Sequence, residues 1–70
     1  MIEVFATNIQ HMKDARVIQG LFSIVFPKFE INFDLSDIDN ILRVESATPI
    51  DPHSVMYYVQ NLGFSIQVLE

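Results

Sequence analysis

The stretch Ile50–Asp51–Pro52–His53–Ser54–Val55, followed by Leu62–Gly63, writes both ends of one helix into the chain. Asp51 suits the N-cap, where a side-chain oxygen accepts from a free amide, and Pro52 suits the first helical position. Ile50 and Val55 have the spacing of a hydrophobic staple. Gly63 suits the position just past the end, where a left-handed backbone is needed. Between these marks Val55, Tyr58, Val59 and Leu62 form one apolar stripe. A helix this sharply bounded forces its flanks into separate elements.

Downstream, residues 64–69 form a short strand with Ile66 and Val68 inward. Upstream, residues 1–7 alternate, with Ile2, Val4 and Ala6 on one side and Glu3, Phe5 and Thr7 on the other. This is the pattern of a half-buried strand. Its expected outer side is that of Phe5. Residues 12–26 suit a helix, because Ala15, Ile18, Phe22 and Val25 recur at three and four residues with Leu21 beside them. Pro27 disfavours helix at Phe26 and marks the end. A strand at 29–35 points Ile31, Phe33 and Leu35 inward. A turn at Ser36–Asn40 leads into a strand at 41–46, with Leu42 and Val44 inward and Ile41, Arg43 and Glu45 outward.

The order β-α-β-β-α-β with right-handed crossovers predicts an α+β, ferredoxin-like sandwich. Its four-stranded antiparallel sheet has strand order 4-1-3-2 and both helices on one face. Seventy residues make a single domain, 1–70. A domain of this size buries only ~60% of its unfolded surface, so packing must do most of the work.

The chain has no cysteine, which excludes disulfides, thiolate ligands and thiol redox chemistry. Four Lys and Arg against nine Asp and Glu leave a formal charge of -5. That opposes binding to nucleic-acid phosphates or to an anionic membrane surface. No apolar run reaches the ~20 residues that cross a bilayer. The start of the chain alternates and carries Glu3, unlike a signal peptide. A cytoplasmic location is the expectation.

The run D-P-H-S-V-M-Y-Y-V-Q-N-L-G-F-S-I-Q-V-L resembles the second helix, the Gly-aromatic pair (Gly63–Phe64) and the last strand of the heavy-metal-associated domain. The resemblance extends over nearly the whole chain without gaps. It implies the same fold. The family's loop reads Gly-Met-x-Cys-x-x-Cys. Laid on it, Ile9 takes the Met position, Asn8 the Gly position, and His11 and Asp14 the two Cys positions. A one-residue shift of the alignment places Gln10 and Lys13 there instead. Ala15, Ile18 and Phe22 take the helix core positions. The chain thus resembles a member that lacks the thiolate site.

Two functional readings follow. The first is a non-enzymatic interaction domain. Phe5, Ile41 and Leu69 fall outward on neighbouring strands and would form an apolar contact face for a second copy or a protein partner. The second is a metal carrier or sensor. His11 and Asp14, with Met12 nearby, would hold a borderline ion such as zinc or nickel. Two ligands are fewer than the four of a structural site, so a second copy would complete it. Asp37 and Asp39 fall at the same end as His11 and extend it to a composite candidate. His53 falls at the opposite end of the sheet. No resident cofactor is implied beyond a weakly held transition-metal ion. Neither His11 nor His53 stands in a triad-like relation to a serine, which argues against an enzyme.

Overall fold

The computed structural model describes residues 1–69. Its elements run β1 (Ile2–Thr7), α1 (Met12–Val25), β2 (Glu30–Asp34), β3 (Ile41–Glu45), α2 (Pro52–Asn61) and β4 (Ile66–Val68). The fold is α+β, and the element order fits a ferredoxin-like arrangement. The sheet is antiparallel throughout, ordered β2-β3-β1-β4. Counted from the β4 edge, the same neighbours read 4-1-3-2.

Register decides which side chains share a face. Phe5 stands opposite Leu42 on β3 and Val68 on β4. Leu42 in turn stands opposite Phe33, and Val44 opposite Ile31. Opposed residues point to the same side of a sheet. This side packs against both helices. Phe5, Leu42, Val44, Ile31 and Ile66 form one cluster with Ala15, Ile18 and Phe22 of α1 and Val55 and Val59 of α2.

Phe5 therefore does not face outward. It is wholly buried at the centre of the core. The alternation in β1 favoured burying Ile2, Val4 and Ala6, and the reverse is found. One phenylalanine fills the space over the sheet that the smaller Val4 and Ala6 could not. The polar residues of the same parity are provided for. The Thr7 hydroxyl donates to the Asn40 carbonyl at 2.7 Å and accepts from the Ile9 amide at 3.1 Å. Glu3 sits half-exposed at the end of the strand.

Both helices are shorter on their buried side than the apolar stripes suggest. Val25 is 46% exposed and Leu62 37% exposed, although both continue their stripes. The end of α1 explains the first case. The Phe26 amide donates to the Phe22 carbonyl at 2.7 Å, and the Phe26 ring turns in behind the helix. It stacks on Phe29 at 5.2 Å between centroids and meets Tyr58 of α2 edge-on at 5.8 Å. Phe22 joins the same group, 5.5 Å from Tyr58. These rings close the gap between the helices, so Val25 is left at the surface.

α2 begins as its sequence dictates. Asp51 Oδ1 accepts from the His53 amide at 3.0 Å, and Oδ2 accepts from the Ser54 hydroxyl at 3.1 Å. Gly63 has φ +100°, the left-handed region that favours glycine.

Candidate functional site: the open sheet face and the 8–14 loop

The side of the sheet away from the helices carries the residues of opposite parity. Its rows follow from the register. Ala6 stands between Gln67 and Ile41, and Ile41 faces Asp34. In the next row Val4 faces Arg43, and Arg43 faces Asn32. The Leu69 amide donates to the Val4 carbonyl at 2.8 Å, which continues the β4 ladder beside this row. In the last row Ile2 faces Glu45, which faces Glu30.

The face is divided along its length. Ile2, Val4, Ala6 and Leu69 lie over β1 and β4. Ile41 adjoins them on β3. Arg43, Glu45, Glu30, Asn32 and Asp34 cover the rest of β3 and β2. Ile2 is 59% exposed and Leu69 37%. Ile41 is only 5% exposed, yet it stands apart from the helix-side cluster. Thus Ile41 and Leu69 are placed on the expected face, and Phe5 is not. Ile2, Val4 and Ala6 take its place. They were visible in the sequence as the other half of the β1 alternation.

The loop before α1 is tied down on one side and open on the other. The Asn8 amide donates to the Ser65 carbonyl at 3.2 Å, and Asn8 Oδ1 accepts from the Ser65 amide at 2.9 Å. The Thr7 amide donates to the Asp39 carbonyl at 2.9 Å. Ile9 is wholly buried in the core. Gln10, His11, Met12 and Lys13 project to solvent.

His11 is the residue before the helix. Its carbonyl accepts from the amides of Asp14 and Ala15 at 3.0 and 3.1 Å, and its side chain makes no capping bond. Asp14 sits half-exposed in the first turn. Among the described residues the one close approach of a basic side chain to a carboxylate is His53 Nδ1 to Asp51 Oδ1 at 3.6 Å, so His11 and Asp14 are not paired.

Nor does the composite of His11, Asp14, Asp37 and Asp39 assemble. Among the described residues no three His, Asp or Glu side chains are grouped to hold a metal. The turn carboxylates serve the turn instead. Asp37 Oδ1 accepts from the Asp39 amide at 2.9 Å, and the Asn40 amide donates to the Asp37 carbonyl at 3.0 Å. Asn40 itself has φ +48°. Asp34 Oδ1 accepts from the Ser36 hydroxyl at 2.6 Å and amide at 3.2 Å. The Ser36 hydroxyl above all holds the Asp34 carboxyl below its usual value of 3.8.

The surface depressions are open and shallow. The groove between the β2–β3 turn and β4, about 340 Å³, is lined by Ala6, Thr7, Ile38, Asp39 and Gln67 among others. Ile38 at its rim is 94% exposed. No helix among the described residues is long and apolar enough to cross a membrane.

The fold and its divided face define an α+β domain with a solvent-facing antiparallel sheet. No family model, curated protein or solved structure matches the chain.

Proposed function

We propose that this chain is a non-enzymatic cytoplasmic interaction domain that works through the open face of its sheet. We propose further that it is a cysteine-free relative of the heavy-metal-associated domains. The observation that carries the first part is the row of apolar residues on the side of the sheet away from the helices, where Ile2 and Leu69 are exposed, Val4 and Ala6 are half-buried between them, and the buried Ile41 adjoins. Grouped exposed apolar side chains mark contact surfaces, whereas single ones do not. The family reading rests on the alignment, in which Ile9 takes the family's loop Met position; Ile9 is buried in the core, and α2 starts at the Asp51 cap and ends before Gly63, the residues that carry the resemblance.

The test is association. Ile2→Asp and Val4→Asp leave the helix-side core untouched and place charge in the face. Light scattering of wild type and variants should show concentration-dependent mass, or co-purification with a defined partner, that both variants abolish. A monomeric wild type without a partner, or variants that associate as wild type does, would refute the reading.

A metal carrier built on His11 and Asp14 is the second reading. It is favoured by the exposure of His11 and Met12 on a loop whose base is rigidly tied. Binding would require a second copy to complete the ligand set. Calorimetry of metal-stripped protein with Zn(II) and Ni(II) should then show binding that His11→Ala removes and that weakens as the imidazole protonates. Equal binding by His11→Ala would dismiss it.

A further inference from the structure

The outer side of α1 is the chemical counterpart of the open sheet face. Val17 and Ile24 lie seven positions apart, on one side of the helix, and are 56% and 77% exposed. Gly20 lies between them on the same side. A helix-interior glycine costs up to ~1 kcal/mol relative to alanine. Nothing in the chain requires it here, since no atom lies within 4 Å of where its Cβ would stand. The missing side chain leaves a dent in an apolar stripe. Lys13 and Arg16, both exposed, border that stripe. They are two of the four cations in the chain. Asp14, half-exposed in the same turn, is the one acid beside them.

The sheet face has the opposite balance. Its polar half carries Glu30, Asp34 and Glu45 against Arg43, a net of -2. Its apolar half lies alongside. Dimensions agree as well. From Lys13 to Ile24 is about 16 Å of helix at about 1.5 Å per residue. β1 is about 17–20 Å long at about 3.3 Å per residue.

We infer that the outer side of α1 docks on the open sheet face of a second copy of this chain, head to tail. The inference rests on the reading above that the sheet face is a contact surface. Val17 and Ile24 cover Ile2, Val4 and Leu69. Of the two orientations along the strands, one sets Lys13 and Arg16 over Glu30 and Glu45, which stand opposite each other in the Ile2 row. Two like-charged sheet faces brought together would repel, so this pairing of unlike faces is the one the charges favour. A docked pair keeps one face of each kind free, the sheet face of one copy and the α1 side of the other. Such heterologous contacts close into a ring or continue as a filament.

Sedimentation velocity of the full chain, from micromolar to millimolar concentration, tests this with two charge-reversal variants. Lys13→Glu with Arg16→Glu makes both faces acidic. Glu30→Lys with Glu45→Lys makes both basic. Each alone should raise the concentration for half-association at least about tenfold, and a one-to-one mixture should restore it. All substituted positions are at or near the surface, and circular dichroism checks that each variant is folded. Gly20→Ala, which should stabilise the monomer, should weaken association by filling the dent. Assembly that survives both reversals would overturn the α1 pairing and leave the sheet-face reading standing. A wild type that is monomeric throughout would overturn self-docking; if Ile2→Asp still abolished capture of a defined partner, the sheet-face reading alone would remain.

Discussion

Asn8 and Ser65, 57 positions apart in the chain, are joined by a pair of hydrogen bonds. One is backbone to backbone at 3.2 Å, and the other runs from the Ser65 amide to the Asn8 side chain at 2.9 Å. Together they clamp the loop before α1 to the start of β4. A side chain does here what a strand ladder does elsewhere. Asn8→Ala removes one of the two bonds and leaves the Ser65 amide to water. It should cost about 0.5–1.5 kcal/mol in urea unfolding, with faster amide exchange at Ser65. An unchanged midpoint and unchanged exchange would mean that the backbone bond alone holds the loop.

Phe5 gives the sharpest contrast between the two faces of β1. Phe5→Ala empties the centre of the core and should cost about 3–5 kcal/mol. At about 0.05–0.15 kcal/mol per residue a chain of this length holds about 3.5–10 kcal/mol, so this variant should lose a large part of its stability. Val4→Ser, one position away on the open face, should keep a cooperative transition close to that of wild type. Circular dichroism during urea titration checks both. A Phe5→Ala midpoint close to that of wild type would contradict the register.

The cap of α2 predicts an acid dependence. The bond from the His53 amide, then that from the Ser54 hydroxyl, hold the Asp51 carboxyl below its usual value of 3.8. A carboxyl with a depressed folded pKa stabilises fully above its unfolded value and loses that contribution as pH falls through the folded one. The contribution of Asp51 is therefore complete at neutral pH and fades below the usual carboxylate range. Asp51→Asn keeps an acceptor at the cap without a titrating group. Its unfolding midpoint should stand close to that of wild type at neutral pH and fall less steeply in acid. Parallel acid slopes for the two proteins would remove Asp51 from the account.

The two glycines should respond oppositely. Gly20→Ala adds a methyl group to open space on a helix and should stabilise the monomer by up to ~1 kcal/mol. Gly63→Ala also meets no neighbour, yet φ there is +100°. It should cost about 1–3 kcal/mol from backbone strain alone. Thermal unfolding of both variants at low protein concentration decides this, and a change of the same sign in both would refute it.

Much of the chain was legible before folding. The helix at 52–61 announces itself because Asp51, Pro52 and Gly63 each act on backbone atoms within a few residues. Helix α1 and strands β2 and β3 were legible for a similar reason: their periodicities are local and their apolar sides unequal. The candidate site was less so. Ile41 and Leu69 were placed on the open face by the alternation of their own strands. Phe5 was placed there too, and its register belongs to β3 and β4 rather than to β1.

Strand β1 shows where the division falls. Its sequence determined that residues 2–7 would be extended, and that one side would be buried. It offered three apolar residues on one side and a single phenylalanine on the other. Only the tertiary structure decided between them, because the cost of turning Glu3 and Thr7 toward the helices depends on partners far along the chain. Asn40 supplies an acceptor for Thr7, the strand end leaves Glu3 near water, and the core between sheet and helices takes up the Phe5 ring. The same decision set Ile2, Val4 and Ala6 on the open face. Local order is a property of neighbours in sequence. Which face a strand buries is settled by shape and hydrogen-bond satisfaction among residues that meet only when the chain has folded.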